Sequence, residues 1–167
     1  DSDYAIFEIG MNHPGEISPL VRMVRPHIAI VTLIAPAHLG FFRNLDEIAK
    51  AKAEIFEGVE PGGAVLLNRD DGRFKLLEKF ARGAGIDNVM SFGENTRATF
   101  RLLKCTLEAD HSMIVARIGG RDVQARIGAP GRHIVQNALA VLGAAHLCGA
   151  DVPTVATALA SMTAESG

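Results

Sequence analysis

The chain has 167 residues, 17 of them basic and 19 acidic, and 48% are apolar, enough for one domain with a full core. The near-balance of charge leaves no basic stripe for a nucleic-acid backbone, and no apolar run reaches the ~20 residues needed to cross a membrane. Cys105 and Cys148 are too few and too far apart for a disulfide framework, and no secretory leader is visible, so we read both as reduced thiols of a cytoplasmic protein.

Tyr4–Gly10 is a short apolar run closed by glycine and predicts a buried strand. Its position at the very start, and the loop at Met162–Gly167 after a helix, suggest an interior piece of a longer chain, cut at both ends. Met11–Glu16 reads as a loop. Glu16–Val24 is a helix with Ile17, Leu20, Val21 and Val24 on one face, stopped by Pro26. Ile28–Ile34 is a second strand, leading into a loop that carries His38. A helix follows from Asn44, its N-cap, with Glu47 three residues on in a variant of the capping box; Gly58 and Pro61 close it. Gly63–Asn68 is a strand, Phe74–Ala81 a helix and Val89–Phe92 a strand.

Strands alternating with helices at this spacing predict an α/β fold, a mainly parallel sheet flanked by crossover helices. From Ala98 the pattern changes. Thr99–Glu108, Ser112–Ile118 and Asp122–Ile127 read as short strands joined by hairpins, a small antiparallel β subdomain. After Pro130-Gly131 a long helix runs from about His133 to Cys148, with Ile134, Ala138, Val141, Leu142 and Ala145 inward and Gly149 as its cap. Val152–Ser161 is a last short helix.

Stepping one hundred degrees per residue from Leu45 puts Ile48, Ala49, Lys52, Ile55 and Phe56 on one face. Lys52 lies in the middle of it, and Lys50 lies opposite with Asp46, Ala53 and Glu57. A lysine on an inward face is costly unless its pKa falls or it finds a partner. In open α/β sheets ligands collect at the carboxyl ends of the strands, where Glu8 and His38 fall. Each residue has a plain alternative. Glu8 would be a strand-end acid in solvent, His38 a surface or capping group, and Lys52 a lysine snorkelling out along its stem. Together they offer a carboxylate, an imidazole and a lysine around a hard divalent cation. Asn137, one turn after His133 on the same helix edge, is either a helix residue paired with local backbone or an amide facing a planar base. Asn68-Arg-Asp-Asp71 reads first as a turn and a helix start.

The ordered segments Glu8-Ile-Gly-Met-Asn12-His-Pro-Gly15-Glu16-Ile17, Ala37-His38-Leu39, Ala51-Lys52-Ala-Glu54-Ile55, Leu67-Asn68-Arg-Asp70 and Gly131-Arg-His133-Ile-Val-Gln-Asn137-Ala-Leu-Ala140 resemble the central, ATP-binding domain of the Mur ligases over almost the whole chain. The Gly-Met-Asn-x-x-Gly-Glu-Ile stretch is most like the branch that joins D-alanyl-D-alanine to UDP-N-acetylmuramoyl-tripeptide in peptidoglycan synthesis. The resemblance implies an ATP-dependent amide ligase of cell-wall biogenesis working through an acyl phosphate with two Mg2+ ions. Carried over by motif, Glu8 would hold one Mg2+, and His38 with Lys52 as a carbamate the second. His38 and Lys52 would be the catalytic pair. Asn137 would lie beside the adenine with His133 next to it, and Asn12 near the phosphates or the substrate.

The chain departs from the pattern in several ways. It contains no Gly-x-x-x-x-Gly-Lys-Thr/Ser phosphate loop, which in the family precedes the first strand read here. Residues 1–167 would then be a central domain lacking its first strand and phosphate loop, without the family's N-terminal uridine-nucleotide domain and C-terminal domain, and inactive alone. Leu33 and Ile134 stand where many relatives have asparagine. The competing readings are a folylpolyglutamate- or cyanophycin-type ligase, against which the Gly-Met-Asn stretch speaks, and a non-catalytic α/β module that would leave Glu8, His38 and Lys52 scattered.

Overall fold

The computed structural model describes residues 3–36 and 41–162. Its helices are α1 (Ile17–Val24), α2 (Leu45–Lys52), α3 (Phe74–Gly83), α4 (Arg132–Leu147) and α5 (Val152–Ala158). Its strands are β1 (Ile28–Val31), β2 (Ala64–Asn68), β3 (Asn88–Gly93), β4 (Phe100–Leu107), β5 (Ser112–Ile118) and β6 (Arg121–Ile127). The strands form one sheet in the order β1-β2-β3-β4-β5-β6. Neighbours from β1 to β4 are parallel, and β4, β5 and β6 are antiparallel. The antiparallel hairpins therefore extend the parallel sheet rather than standing apart as a subdomain.

Burial follows this division. A parallel strand packed on both faces has no polar side to show, and all five residues of β2 are buried. Val65 and Leu67 join Ile48, Phe56, Phe74 and Leu77 under α2 and α3, while Leu66 joins Phe92, Phe100, Leu139 and Leu142 under α4. β5 instead alternates strictly between buried and open positions, with Ser112, Ile114, Ala116 and Ile118 inward. Its other face is left to solvent, as an antiparallel sheet permits.

The seam between the two regimes is short. β3 and β4 pair only at Phe92–Phe100 and Gly93–Arg101. The intervening loop is clipped by two side chains: the Ser91 N–H donates to Thr99 Oγ1 at 3.1 Å, and the Thr99 N–H returns to Ser91 Oγ at 3.2 Å. A tight return between parallel strands is unusual, and this reciprocal clip supplies the backbone partners that the abbreviated ladder does not.

Three expectations need correction. Tyr4–Gly10 forms no strand. Tyr4, Ile6 and Phe7 are 57%, 97% and 61% exposed, because an apolar run gives a segment the capacity for a ladder but not a neighbour to pair with. Val141 is exposed on α4, and the buried face is made by Val135, Ala138, Leu139, Ala140, Leu142 and Gly143. The α2 periodicity also stops at Lys52, where a 3-10 turn over Ala53–Gly58 takes over. Its tighter winding carries Ala53 inward rather than to the outer face with Lys50.

Gly143 marks the closest approach of α4 to the sheet. A Cβ there would lie 2.5 Å from Phe100 Cδ2, and the Phe100 ring is itself buried and unable to yield. Alanine is the better helix former by about 1 kcal/mol, so propensity and packing oppose each other. Packing should win: Gly143→Ala is expected to destabilise by about 1–3 kcal/mol, read from the urea midpoint. A neutral or stabilising outcome would show that α4 sits farther from β4.

Candidate functional site

A network of polar side chains gathers at the carboxyl ends of β1 and β2. α2 forms because Asn44 caps it, its Oδ1 accepting from the Glu47 N–H at 3.0 Å, while Glu47 reaches back to the Arg43 N–H at 2.9 Å. Ile48 and Ala49 then bury one face. Lys52 ends the helix half-buried, and its Nζ donates to the Leu33 carbonyl at 3.1 Å. Burial pushes its pKa below the usual 10.5, and the nearby Asp71 carboxylate partly restores it. The ammonium is not simply free in solvent: it donates to a backbone carbonyl at the exposed rim of β1.

Asp71 grips the other side of the same peptide. Its Oδ2 accepts from the Ile34 N–H at 2.6 Å, and its Oδ1 accepts from the Arg73 N–H at 2.7 Å. Leu33 C=O and Ile34 N–H belong to one peptide group, so Lys52 and Asp71 hold it from both ends. The rest of the Asn68–Asp71 turn continues the stitching. Asn68 Nδ2 donates to the Thr32 carbonyl at 3.0 Å. Asp70 accepts from the N–H groups of Glu94 and Asn95 at 2.6 and 2.9 Å, and from Gln136 Nε2 of α4 at 3.0 Å. Gly93 faces this carboxylate so closely that any Cβ would collide with it. Sequence reasoning took the stretch for a turn and a helix start and missed this role. The available signal was an Asn-x-Asp-Asp run at the end of a buried strand.

The loop before α1 is built on glutamates. Glu16 Oε2 accepts from the N–H groups of Asn12 and His13 at 2.6 and 3.1 Å, and Oε1 meets His13 Nδ1 at 2.9 Å. The Asn12 N–H bond, followed by the His13 contacts, lowers its pKa from 4.5 to about 2. Gly15 takes a φ of 90°, which glycine alone adopts cheaply. The His13 ring lies 4.2 Å, centroid to centroid, from that of Phe41.

Of the residues singled out from sequence, Lys52 stands at the centre of this arrangement. Asn12 is exposed on the adjacent loop, and Glu8 is exposed in the unpaired segment leading to it. His133 and Asn137 are exposed one turn apart at the start of α4, which Gln136 ties to Asp70. His38 lies outside the described residues. Among the described residues no three His, Cys, Asp or Glu side chains gather as a metal-binding group, and no helix is long and apolar enough to cross a membrane.

The half-buried ammonium makes stability depend on pH. The unfolded chain binds the Lys52 proton more tightly than the folded one, so stability should rise as pH climbs through the depressed folded pKa toward 10.5. We expect Lys52 to titrate below the other lysines when followed by NMR of 13C-labelled lysine Cε. In Asp71→Asn its pKa should fall further, because the one opposing charge is gone. An unshifted Lys52, or an upward move in Asp71→Asn, would contradict the geometry.

Comparison with known proteins matches this frame. Residues 1–145 match the Mur ligase middle domain family. The UDP-N-acetylmuramoyl-tripeptide–D-alanyl-D-alanine ligase of Rickettsia prowazekii is 33% identical over 167 residues, covering this whole chain and 37% of the relative. The Escherichia coli protein of the same name is 32% identical over 99% of the chain and 36% of its own length. Among solved structures, MurF from Acinetobacter baumannii superposes with a TM-score of 0.90 at 29% identity, covering 98% of this chain and 35% of that one. The MurF ligase of Thermotoga maritima, solved in complex with ADP, shares the fold at a TM-score of 0.76 and 20% identity. The chain thus spans about a third of the length of the curated relatives it matches, and it belongs to the Mur ligase middle domain family.

Proposed function

We propose that the chain is the ATP-handling portion of a cytoplasmic amide ligase that joins D-alanyl-D-alanine to UDP-N-acetylmuramoyl-tripeptide. The observation that carries the reading is Lys52, a lysine with a depressed pKa pinned at the carboxyl end of β1 by the Leu33 carbonyl. A lysine whose proton is held less tightly than usual yields more readily the neutral amine that reacts with carbon dioxide to give a carbamate. The names of the relatives, at 33% and 32% identity, support the substrate pair.

In this reaction the γ-phosphoryl of ATP passes to the tripeptide carboxylate, giving an acyl phosphate and ADP. The amine of D-alanyl-D-alanine then attacks the acyl carbon, loses a proton and displaces inorganic phosphate, leaving an amide. By the family pattern, the Glu8 carboxylate would hold one Mg2+, and a Lys52 carbamate oxygen with the His38 imidazole the second; the carboxylate and carbamate oxygens are the donors a hard cation prefers. Bound there, Mg2+ would neutralise charge on the transferring phosphoryl group. The chain's own residues do the placing. The Leu33–Ile34 peptide, held by Lys52 and Asp71, fixes the backbone just beyond β1. Asp70 and Gln136 set the start of α4, where Asn137 and His133 would meet the adenine. Asn12, on the Glu16-closed loop, faces the phosphates or the substrate.

Two measurements test the reading. In the full-length ligase, Lys52→Ala should lower activity by about a hundredfold or more, since it removes a group in the catalytic constellation, and short-chain carboxylates should restore part of it. Lys50→Ala, on the exposed side of α2, should change activity less than twofold. The reverse pattern would sink the assignment. A protein limited to residues 1–167, which contain no phosphate-loop motif, should release no phosphate from ATP in the presence of both substrates. Turnover comparable to the full-length ligase would overturn that expectation.

A further inference from the structure

The first turn of a helix leaves backbone N–H groups without intrahelical partners, and a nearby Ser, Thr, Asp or Asn normally supplies an acceptor. α1 has no such local cap: the side chain of its N-cap residue, Glu16, is turned back to the Asn12–His13 loop. The acceptor comes instead from Glu54, dozens of residues away. Glu54 Oε1 accepts from the Gly15 N–H at 2.7 Å, and Oε2 accepts from the N–H groups of Ile17 and Ser18 at 3.2 and 3.3 Å. The Ser18 hydroxyl adds a fourth contact at 3.5 Å. A carboxylate on several backbone donors at a helix N-terminus makes charge-assisted bonds that also suit the helix dipole.

Glu54 stands two residues after Lys52, in the 3-10 turn that continues α2. Two residues of helical winding send successive side chains to opposite sides. Lys52 therefore reaches toward the end of β1 while Glu54 reaches toward α1. Gly58 in the same turn lets α1 approach so closely that a Cβ would collide with the Val21 carbonyl. The Arg22–Glu57 pair at 2.9 Å adds only an exposed tie.

We infer that Glu54 is a positioning residue: it fixes the rotation of the segment that carries Lys52 by seating that segment in the N-terminus of α1, and so couples the Asn12–Ser18 loop to the Lys52 site. The inference rests on Lys52 belonging to the catalytic machinery, as proposed above. A displacement of about 1 Å at a reacting group costs up to a hundredfold in rate, whereas loss of an exposed ion pair costs little.

The test uses the full-length ligase with ATP, UDP-N-acetylmuramoyl-tripeptide and D-alanyl-D-alanine. Glu54→Gln keeps the volume but turns an amide N–H toward the Ile17 and Ser18 donors, and Glu57→Ala removes a neighbouring tie between α1 and the turn. We expect Glu54→Gln to lower kcat by about ten- to a hundredfold with KM for ATP changed less than threefold. Amide exchange at Gly15, Ile17 and Ser18 should quicken, and Glu57→Ala should stay within twofold of the parent. Glu54→Ala, if it folds, should be at least as slow as Glu54→Gln. A kcat for Glu54→Gln equal to that of Glu57→Ala, or a loss confined to KM, would overturn the inference. Full activity in Lys52→Ala would instead overturn the functional reading beneath it, so the two failures are distinguishable.

Discussion

One peptide group, Leu33–Ile34, is held by a cation on its carbonyl and an anion on its N–H, and the geometry of the whole carboxyl edge depends on it. A backbone leaving a short strand would ordinarily satisfy these two groups with water. Here Lys52 takes the carbonyl and Asp71 the N–H. Bonds with an ionised partner are shorter and stronger than neutral ones, so the chain beyond β1 leaves in a set direction. Asp71 is itself fixed by its turn. Asn68 binds back to Thr32 next to the gripped peptide, and Asp70 reaches across to the β3–β4 loop and to Gln136 of α4. Three side chains within four residues therefore lock the ends of β1, β2 and β3 and the start of α4 into one piece.

The sheet explains why the stitching falls at that edge. Its parallel half is covered on both faces, so the residues of β2 are spent on packing and offer nothing to a ligand. The antiparallel half exposes one face but lies beyond the short seam between β3 and β4. Chemistry is left to the strand ends and the helix starts, where polar side chains can be anchored by backbone and still face outward. α4 serves both purposes: Leu139 and Leu142 bury one side against the sheet, and His133 and Asn137 stand exposed at its first turns.

What could be read in advance follows the range of the interaction. β5 was legible at its observed bounds because a short β-branched apolar run between the turn residues Asp110-His111 and Gly119-Gly120 is a local signal, and the Asn44 cap was legible because its partner is three residues away. The inward Lys52 was legible from helical phase, but only to the point where the 3-10 turn changes that phase. The reach of Glu54 to Gly15 and of Asp71 to Ile34 could not be read, since nothing near either carboxylate names its partner. Tyr4–Gly10 shows the opposite limit. It too is an apolar run closed by glycine, yet Ile6 is 97% exposed. Periodicity records which face of a strand would be apolar, and pairing is a separate matter of what lies alongside.

Lys52 is where local rules and the fold disagree most openly. Helix phase asks for an apolar side chain; burial penalises the ammonium; the one nearby anion, Asp71, is already committed to two backbone N–H groups. A methionine would pack in the same space without the desolvation cost, but it could not donate to the Leu33 carbonyl. Keeping an amine there destabilises the fold at neutral pH and lowers the cost of losing the proton. The hydrogen bond to Leu33 offsets part of that desolvation cost. The deprotonated amine that burial favours is also the only form able to become an anion by reaction with carbon dioxide. The same burial that makes Lys52 a poor core residue would, on the proposed function, ease its conversion to a carbamate, while Glu54 ties the turn that follows it to the start of α1.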